Sequence, residues 1–330
     1  MRIAVTGESG FIGKNLPKSI EKYGHEFVSL NNYVDFIVRR SRTDEPCVYS
    51  NSESVWIKAL SALNVDCIIH NAAVVGTDVV AQNIEDSTLS NVAGTHNIVR
   101  ASNYLNIPVV YTGTTVIYDT ALYQDTEITE YSDMYPTTMY GCQKLASENI
   151  IKGMCKKWLI VRPLFAYGGI GDMNSLPAKT FYSLLKNKKN LDMFLDPKKS
   201  KDYLHVEDFC DGVLEAINLD YWQDDYNVSR CTPMITQEIV EMMSSIANRD
   251  CMDIIRWHPE TDYLGNHRLT SRKLQSRCNW EPKYSLYTGL TSVWHEVNDK
   301  LDNSYNPLEY LESAKENDFD ILSHFPKVNV

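Results

Sequence analysis

The sequence predicts an α/β protein, a doubly wound parallel sheet with a smaller C-terminal lobe. Three observations carry this. Short β-branched runs alternate with amphipathic helical stretches through the first half, as in a parallel sheet covered on both faces. A glycine-rich turn joins the first strand to the first helix. Past Pro163 the rhythm becomes irregular, with short helices separated by loops rich in Asp, Asn, Pro and Lys.

Strands are expected at 3–6, 26–30, 67–70, 109–112 and 158–161, with helices near 11–23, 53–63, 86–105 and 137–156. Shorter helices are expected at about 175–187, 207–219, 236–247 and 286–298. The chain therefore divides into an α/β unit over 1–165, which includes the helix bearing Tyr140 and Lys144, and a smaller lobe over 166–298, with scope for elements that return to the sheet. Residues 299–330 form a polar tail to which no role is assigned. A lobe packed at the carboxyl ends of the strands stands where open α/β sheets place their ligands.

At 330 residues the chain is long enough to bury a large core. A net charge of −11 argues against a nucleic-acid backbone as partner, though a local pocket on an acidic protein can still be basic. No apolar run approaches the roughly 20 residues of a membrane span. The eight cysteines are scattered without a CxxC pair, so no metal site and no disulfide framework is expected. With a strand starting at Arg2 and no leader pattern before it, a cytoplasmic protein is expected.

The first strand runs into Gly7-Glu8-Ser9-Gly10-Phe11-Ile12-Gly13 and then a helix. Glycines here permit a tight turn, close approach of backbone to a diphosphate and close helix–strand packing. A simple tight turn is the bland alternative, weakened by the strand before and the helix after. This spacing resembles the TGxxGFIG signature of extended short-chain dehydrogenases/reductases, the epimerase/dehydratase family. The likeness continues in His70-Asn71-Ala72-Ala73, Asn91-Val92-Ala93-Gly94-Thr95, Arg162-Pro163 with Tyr167-Gly168, Lys201-Asp202-Tyr203-Leu204-His205-Val206-Glu207-Asp208 and Asn279-Trp280-Glu281-Pro282. It spans roughly residues 1–298 in the expected order. The resemblance implies a Rossmann-type fold that binds NAD or NADP through Gly7, Ser9, Gly10, Phe11, Ile12, Gly13, Asn31, Asn32, Ala72, Ala73, Asn91, Thr112, Tyr140, Lys144 and Pro163. It also implies a nucleotide-sugar substrate, and a homodimer paired through the 137–156 helix and its neighbour; Ile98, Leu105, Leu145 and Ile150 supply apolar surface for that pairing.

Tyr140 and Lys144 form a YxxxK pair on one face of a helix. A nearby ammonium lowers a phenol's pKa towards neutrality, which makes Tyr140 a usable acid or base. By resemblance, Thr114 is the third catalytic residue, bonding the substrate oxygen on which Tyr140 acts, with Thr115 the neighbouring candidate. Substrate contacts are expected from Thr114, Thr115, Tyr140, Phe165, Lys201 and Arg268. Phe165 stands where many relatives have Asn, and Lys201 replaces an Arg, keeping charge without the fork.

Sugar 4,6-dehydratases of the family carry Asp-Glu directly after the catalytic Thr, whereas this chain has Thr115-Val116. Its 3,5-epimerase/reductases use a Cys beside the catalytic hydroxyl and a later His, and neither is at the matching places. Cys142 is expected to pack in the interior. Two chemistries remain, 4-epimerisation by transient hydride transfer, which is favoured, and 4-ketoreduction by NADPH. A catalytically silent cofactor-binding protein and a reductase of non-sugar substrates are the further alternatives. The intact YxxxK pair argues against the first, and the HVED and NWEP segments against the second. Asn31 stands where NAD enzymes carry a ribose-binding acid, Glu8 is unfavourable to a nearby phosphate, and Arg39, Arg40 and Arg42 read as a solvated basic loop. NAD is the slightly preferred cofactor.

Overall fold

A computed structural model describes residues 1–30, 53–118, 123, 126–169, 171–172, 175–262, 265–266, 268–278 and 280–302. Asn31, Asn32, the basic loop, Asn279 and nearly all of the 299–330 tail lie outside the described residues. Six parallel strands form the sheet: β1 (Arg2–Thr6), β2 (Glu26–Ser29), β3 (Cys67–His70), β4 (Val109–Thr112), β5 (Trp158–Pro163) and β6 (Asp224–Val228). Their order is β6-β5-β4-β3-β1-β2. The principal helices are α1 (Phe11–Lys22), α2 (Glu53–Ala62), α3 (Gly94–Leu105), α4 (Met139–Met154), α5 (Leu176–Leu185), α6 (Val206–Asn218), α7 (Thr236–Ala247) and α8 (Leu286–Asp302).

The strands carry apolar residues on both faces because both faces are covered. Ile3, Val5, Cys67, Ile69, Val110, Leu159 and Val161 pack with α1 and α6. Their neighbours Ala4, Ile68, Val109, Tyr111, Trp158 and Ile160 pack with α2, α3 and α4. This period of two is the strand pleat read off the core. A third core lies in the lobe, where Phe181 of α5, Ile239 and Met243 of α7 and Leu290 and Val293 of α8 are buried together. Among the described residues no helix is long and apolar enough to cross a membrane.

β6 comes from beyond residue 165 and completes the sheet beside β5. Its sequence, DDYNV, reads as loop because of its acids, yet each acid is matched to a cation. Arg162, fully buried on β5, donates to Glu148 of α4 (2.8 Å), to Asp225 of β6 (2.7 Å) and to the Tyr118 hydroxyl (3.1 Å). Lys273 reaches both Asp224 (2.6 Å) and Asp225 (3.2 Å).

Two expectations are corrected here. The single helix at 86–105 is interrupted by a π-turn at Leu89–Ala93 between the short helix Ile84–Thr88 and α3. The extra residue turns Asn91 inward. Of the residues offered as spare dimer surface, Ile98 is used within the chain, while Leu105, Leu145 and Ile150 are half-buried. Ile98 is 1% exposed in the core under α3, Leu105 and Ile150 pack against that core, and Leu145 packs against Ile117 and Leu164.

Removing the Glu148 charge while keeping its shape leaves Arg162 buried and short of a counter-ion. Glu148→Gln is expected to lower stability by about 3 kcal/mol, the low end for breaking a buried pair because Asp225 remains. Urea denaturation reads this directly, and an unchanged midpoint would show that the pair carries no net charge stabilisation.

Candidate active site at the carboxyl ends of β1, β3 and β4

The chain leaves β1 for β2 and returns to β3 on the opposite side of β1, so the strand order reverses between β1 and β3. Open α/β sheets bind ligands at such a reversal. Backbone segments meet there at distances only glycine allows. Gly7 has φ +69°, and a Cβ on it would lie 2.8 Å from Ala72 Cα. A Cβ on Gly13 would overlap the Gly7 carbonyl oxygen and stand 2.7 Å from Glu8 Cα. Gly10 is less constrained, with its nearest contact at 3.2 Å. Ser9 and Gly10 are exposed on this turn, while Phe11 and Ile12 pack their side chains on the core beneath.

Behind the turn runs a chain of hydrogen bonds with a fixed direction. The parallel register sets Thr6 opposite His70. Thr6 Oγ1 accepts from the amides of Asn71 (3.1 Å) and Ala72 (3.0 Å), so its one hydrogen goes to His70 Nδ1 (2.8 Å). His70 is therefore the Nε2–H tautomer and donates to Thr95 Oγ1 (3.1 Å), which in turn donates to Asn91 O (2.6 Å). A charged imidazole cannot accept from Thr6. Burial, reinforced by the nearby Lys144, lowers the His70 pKa to about 3.

Asn91 is itself fully engaged. Its amide donates to Val74 O (3.0 Å) and Gln143 Oε1 (2.9 Å) and accepts from Val74 N (2.7 Å). It holds the loop after β3 against α4. Gln143 continues the contact to Ser87 (2.9 Å) and Thr88 (3.0 Å). Thr112, at the end of β4, has a buried hydroxyl with no hydrogen-bond partner, while its carbonyl accepts from Lys144 Nζ (2.7 Å). A glycine cradle at a helix N-terminus fits the diphosphate of a dinucleotide. Ala72 and Ala73 line the loop after β3, and Pro163 O faces Thr115 Oγ1 at 3.5 Å.

The structure brings Thr114, Tyr140 and Lys144 together. α4 is capped by Thr138, whose hydroxyl accepts from Gly141 N (3.1 Å), and its buried face presents Gln143, Lys144, Ser147 and Glu148. Cys142 falls on the opposite face and is exposed, correcting the expectation that it packs inside. Thr114 lies close enough to Tyr140 for its hydroxyl to act on the phenol. The expected fall in the Tyr140 pKa does not occur; burial of the phenol dominates and pushes it up to about 12, with the Thr114 hydroxyl pulling the other way. Lys144 Nζ lies 4.2 Å from the Tyr111 ring centroid. Its burial lowers the amine to about 7, partly countered by the Glu148 carboxylate one turn along α4.

The expected substrate contacts divide. Lys201 is buried and ion-paired with Asp262 (3.1 Å), so its charge is neutralised inside the lobe, which corrects its assignment to the substrate. Phe165 adopts φ +34° and turns into the lobe core against Tyr203, with ring centroids 5.5 Å apart. Arg268 is exposed, on a backbone segment whose carbonyl accepts from Ile128 N (2.8 Å). Sequence reading gave no role to Glu148, Thr6 or Gln143. Glu148 was visible as an acid four residues after Lys144, whereas nothing local marked the other two.

Residues 3–229 match the sequence profile of the NAD dependent epimerase/dehydratase family. The chain is 23% identical over 338 residues to the dTDP-glucose 4,6-dehydratase of Haemophilus influenzae, covering 90% of this chain and 98% of that one. It is 28% identical over 254 residues to the GDP-6-deoxy-D-talose 4-dehydrogenase of Aggregatibacter actinomycetemcomitans, covering 75% and 80%. Its fold is similar to that of UDP-glucose 4-epimerase from Thermotoga maritima, with a TM-score of 0.76, 18% identity, and coverage of 91% and 100%.

Two predictions rest on this geometry. Gly13→Ala forces backbone apart where α1 meets the turn, and calorimetry should find nicotinamide-dinucleotide binding abolished; unchanged affinity would contradict the cradle. The second concerns acid. Folded His70 titrates about 3.5 units below its ordinary 6.5, at about 3, and His205 at about 4, so the unfolded chain binds more protons between these values. Stability is therefore full above 6.5 and falls with pH through that window, by up to about 1.4 kcal/mol per unit for each group. Denaturation at pH 6.5 and pH 4 should show a smaller loss for His70→Asn than for the parent. An equal loss places the titration elsewhere.

Proposed function

The chain belongs to the NAD dependent epimerase/dehydratase family, and we propose that it moves a hydride on and off C4 of a nucleotide-linked sugar, acting as a 4-epimerase. The observation that carries this reading is the placing of Tyr140 and buried Lys144 one turn apart on α4 with Thr114 against Tyr140, and no acid among the residues that directly follow Thr114. A nicotinamide dinucleotide held on the turn of Gly7, Gly10 and Gly13 would supply the hydride acceptor and donor. Thr114 and Tyr140 Oη orient the C4 oxygen. Once its own proton has passed to solvent, the Tyr140 phenolate takes the proton from the C4 hydroxyl as hydride leaves and restores it as hydride returns. Lys144, anchored on the Thr112 carbonyl, stabilises the phenolate while it carries a charge. With Thr115-Val116 where a water-eliminating pair would stand, elimination is disfavoured despite the likeness to a dehydratase.

A 4-ketoreductase is the second reading, supported by the higher identity to GDP-6-deoxy-D-talose 4-dehydrogenase. In that direction Tyr140, protonated at rest, donates directly to the ketone oxygen.

Tyr140→Phe should reduce turnover by roughly 10²–10⁴-fold while cofactor affinity persists; wild-type turnover removes Tyr140 from its role. The two readings separate without a variant. An epimerase should purify with nicotinamide, released on denaturation, and should interconvert C4-epimeric nucleotide sugars with no added reductant. Turnover confined to a 4-keto-sugar plus NADPH assigns the ketoreductase.

A further inference from the structure

We propose that Gln143 is a positioning residue for the reaction: its side-chain amide fixes the roll of α4 about its own axis, and with it the places of Tyr140 and Lys144. The inference deepens the reading above and rests on these two groups carrying the chemistry.

Tyr140, Gln143, Lys144, Ser147 and Glu148 recur at i, i+3, i+4, i+7 and i+8, so they form one stripe along α4. The stripe is tied down along both edges. On one edge, Lys144 donates to Thr112 O at the end of β4 (2.7 Å), and Glu148 accepts from Arg162 of β5 (2.8 Å). On the other, Gln143 and Ser147 meet the segment 84–93 that precedes α3. Ser147 donates to Asn91 O (2.8 Å). Gln143 accepts from Asn91 Nδ2 (2.9 Å) and donates to Ser87 Oγ (2.9 Å) and Thr88 Oγ1 (3.0 Å). A helix anchored along the first edge alone can turn about that line, and the second edge stops it.

The partners demand an amide. The Asn91 side-chain oxygen already accepts from Val74 N (2.7 Å), so Asn91 presents an N–H, and the Gln143 oxygen faces it. The hydroxyls of Ser87 and Thr88 donate to Ile84 O (3.1 and 2.6 Å), so they present lone pairs, and both Gln143 hydrogens face those. A carboxylate lacks the two donors, and an apolar chain lacks donors and acceptor alike. Gln143 and Asn91 are both buried, so losing the amide leaves Asn91 unpaired away from water. Because its own amide is engaged within the chain, Gln143 acts through α4. A helix with side chains has a radius of about 5–6 Å, so a roll of about 10° moves a group on its surface by about 1 Å. A displacement of about 1 Å costs on the order of 100-fold in rate, even when its cause is far from the reacting atoms.

The test is Gln143→Met in the full chain, which keeps the side chain's length and removes the amide. Its melting temperature is measured first, and kinetics are read well below it. The substrates are UDP-, GDP- and dTDP-linked hexoses with C4 as alcohol or ketone, with NAD or NADPH supplied. The variant's kcat is expected to fall roughly 100-fold, while KM changes by less than about threefold. A crystal structure of the variant should show Lys144 Nζ moved off Thr112 O. A lower melting temperature with parental kcat makes Gln143 a fastener of the fold alone and overturns the proposal, as does a raised KM with kcat unchanged. Should Gln143→Met not fold, Ser87→Ala takes its place. It removes one acceptor opposite the Gln143 amide and should lower kcat by roughly tenfold, the worth of about one hydrogen bond; an unchanged kcat overturns the proposal. If the parent turns over none of these sugars, the proposed function fails, and the crystal structure then decides the positioning role by itself. Lys144 still seated on Thr112 O in the variant refutes that role, and a displaced Lys144 upholds it.

Discussion

The guanidinium of Arg162 is fully buried, and the arrangement around the candidate active site depends on how that charge is met. Glu148 meets it from α4 and Asp225 from β6, so one cation joins a helix, the fifth strand and the sheet's edge. Glu148 sits one turn from Lys144 and two turns from Tyr140, which makes the counter-ion and the reactive groups parts of one rigid face. The same carboxylate lies against Gly113, where a Cβ would approach Glu148 Oε1 to 2.6 Å. Gly113 separates the unpartnered hydroxyl of Thr112 from Thr114. An ion pair outside the reacting groups therefore sets the spacing among them, and it does so where breaking the pair is costly.

Much of this was legible because it is local. The short β-branched runs of β1, β3, β4 and β5, the helix boundaries of α1 and α7, and the glycine turn are encoded in adjacent residues and appear where the pattern puts them. The YxxxK pair was legible from i,i+4 spacing, and Thr114 from its resemblance to the family. What escaped was long-range. DDYNV reads as loop because its acids look solvated, and only the placement of Arg162, Lys152 and Lys273 makes them strand residues. Lys201 was expected at a phosphate because a lysine's partner cannot be read from its neighbours; Asp262, which takes its charge, is 61 positions away.

The site's polarity also comes from distant residues acting in series. Two backbone amides orient the Thr6 hydroxyl, Thr6 orients His70, and His70 orients Thr95 towards the π-turn that carries Asn91. Asn91 then ties the loop after β3 to Gln143, next to the Lys144 position. Each member has its donors and acceptors matched, which is the condition under which a buried polar network rigidifies a fold and does not weaken it. The glycine turn and α4 are about 130 residues apart in sequence, and this network helps to keep them in register.

The entry of β6 from residues 224–228 has a consequence for the order in which the protein is made. A ribosome that has released only the first five strands has exposed a sheet whose β5 edge is unpaired and whose Arg162 still lacks Asp225. Such an edge is adhesive to other chains. The nascent polypeptide must therefore carry an unfinished sheet through the synthesis of some sixty more residues, including α5 and α6, before Val228 seats beside Pro163. At roughly 5–20 residues per second, that interval lasts seconds. Vulnerability to misassembly is concentrated there, and a fragment cut at residue 165 would make that transient condition permanent.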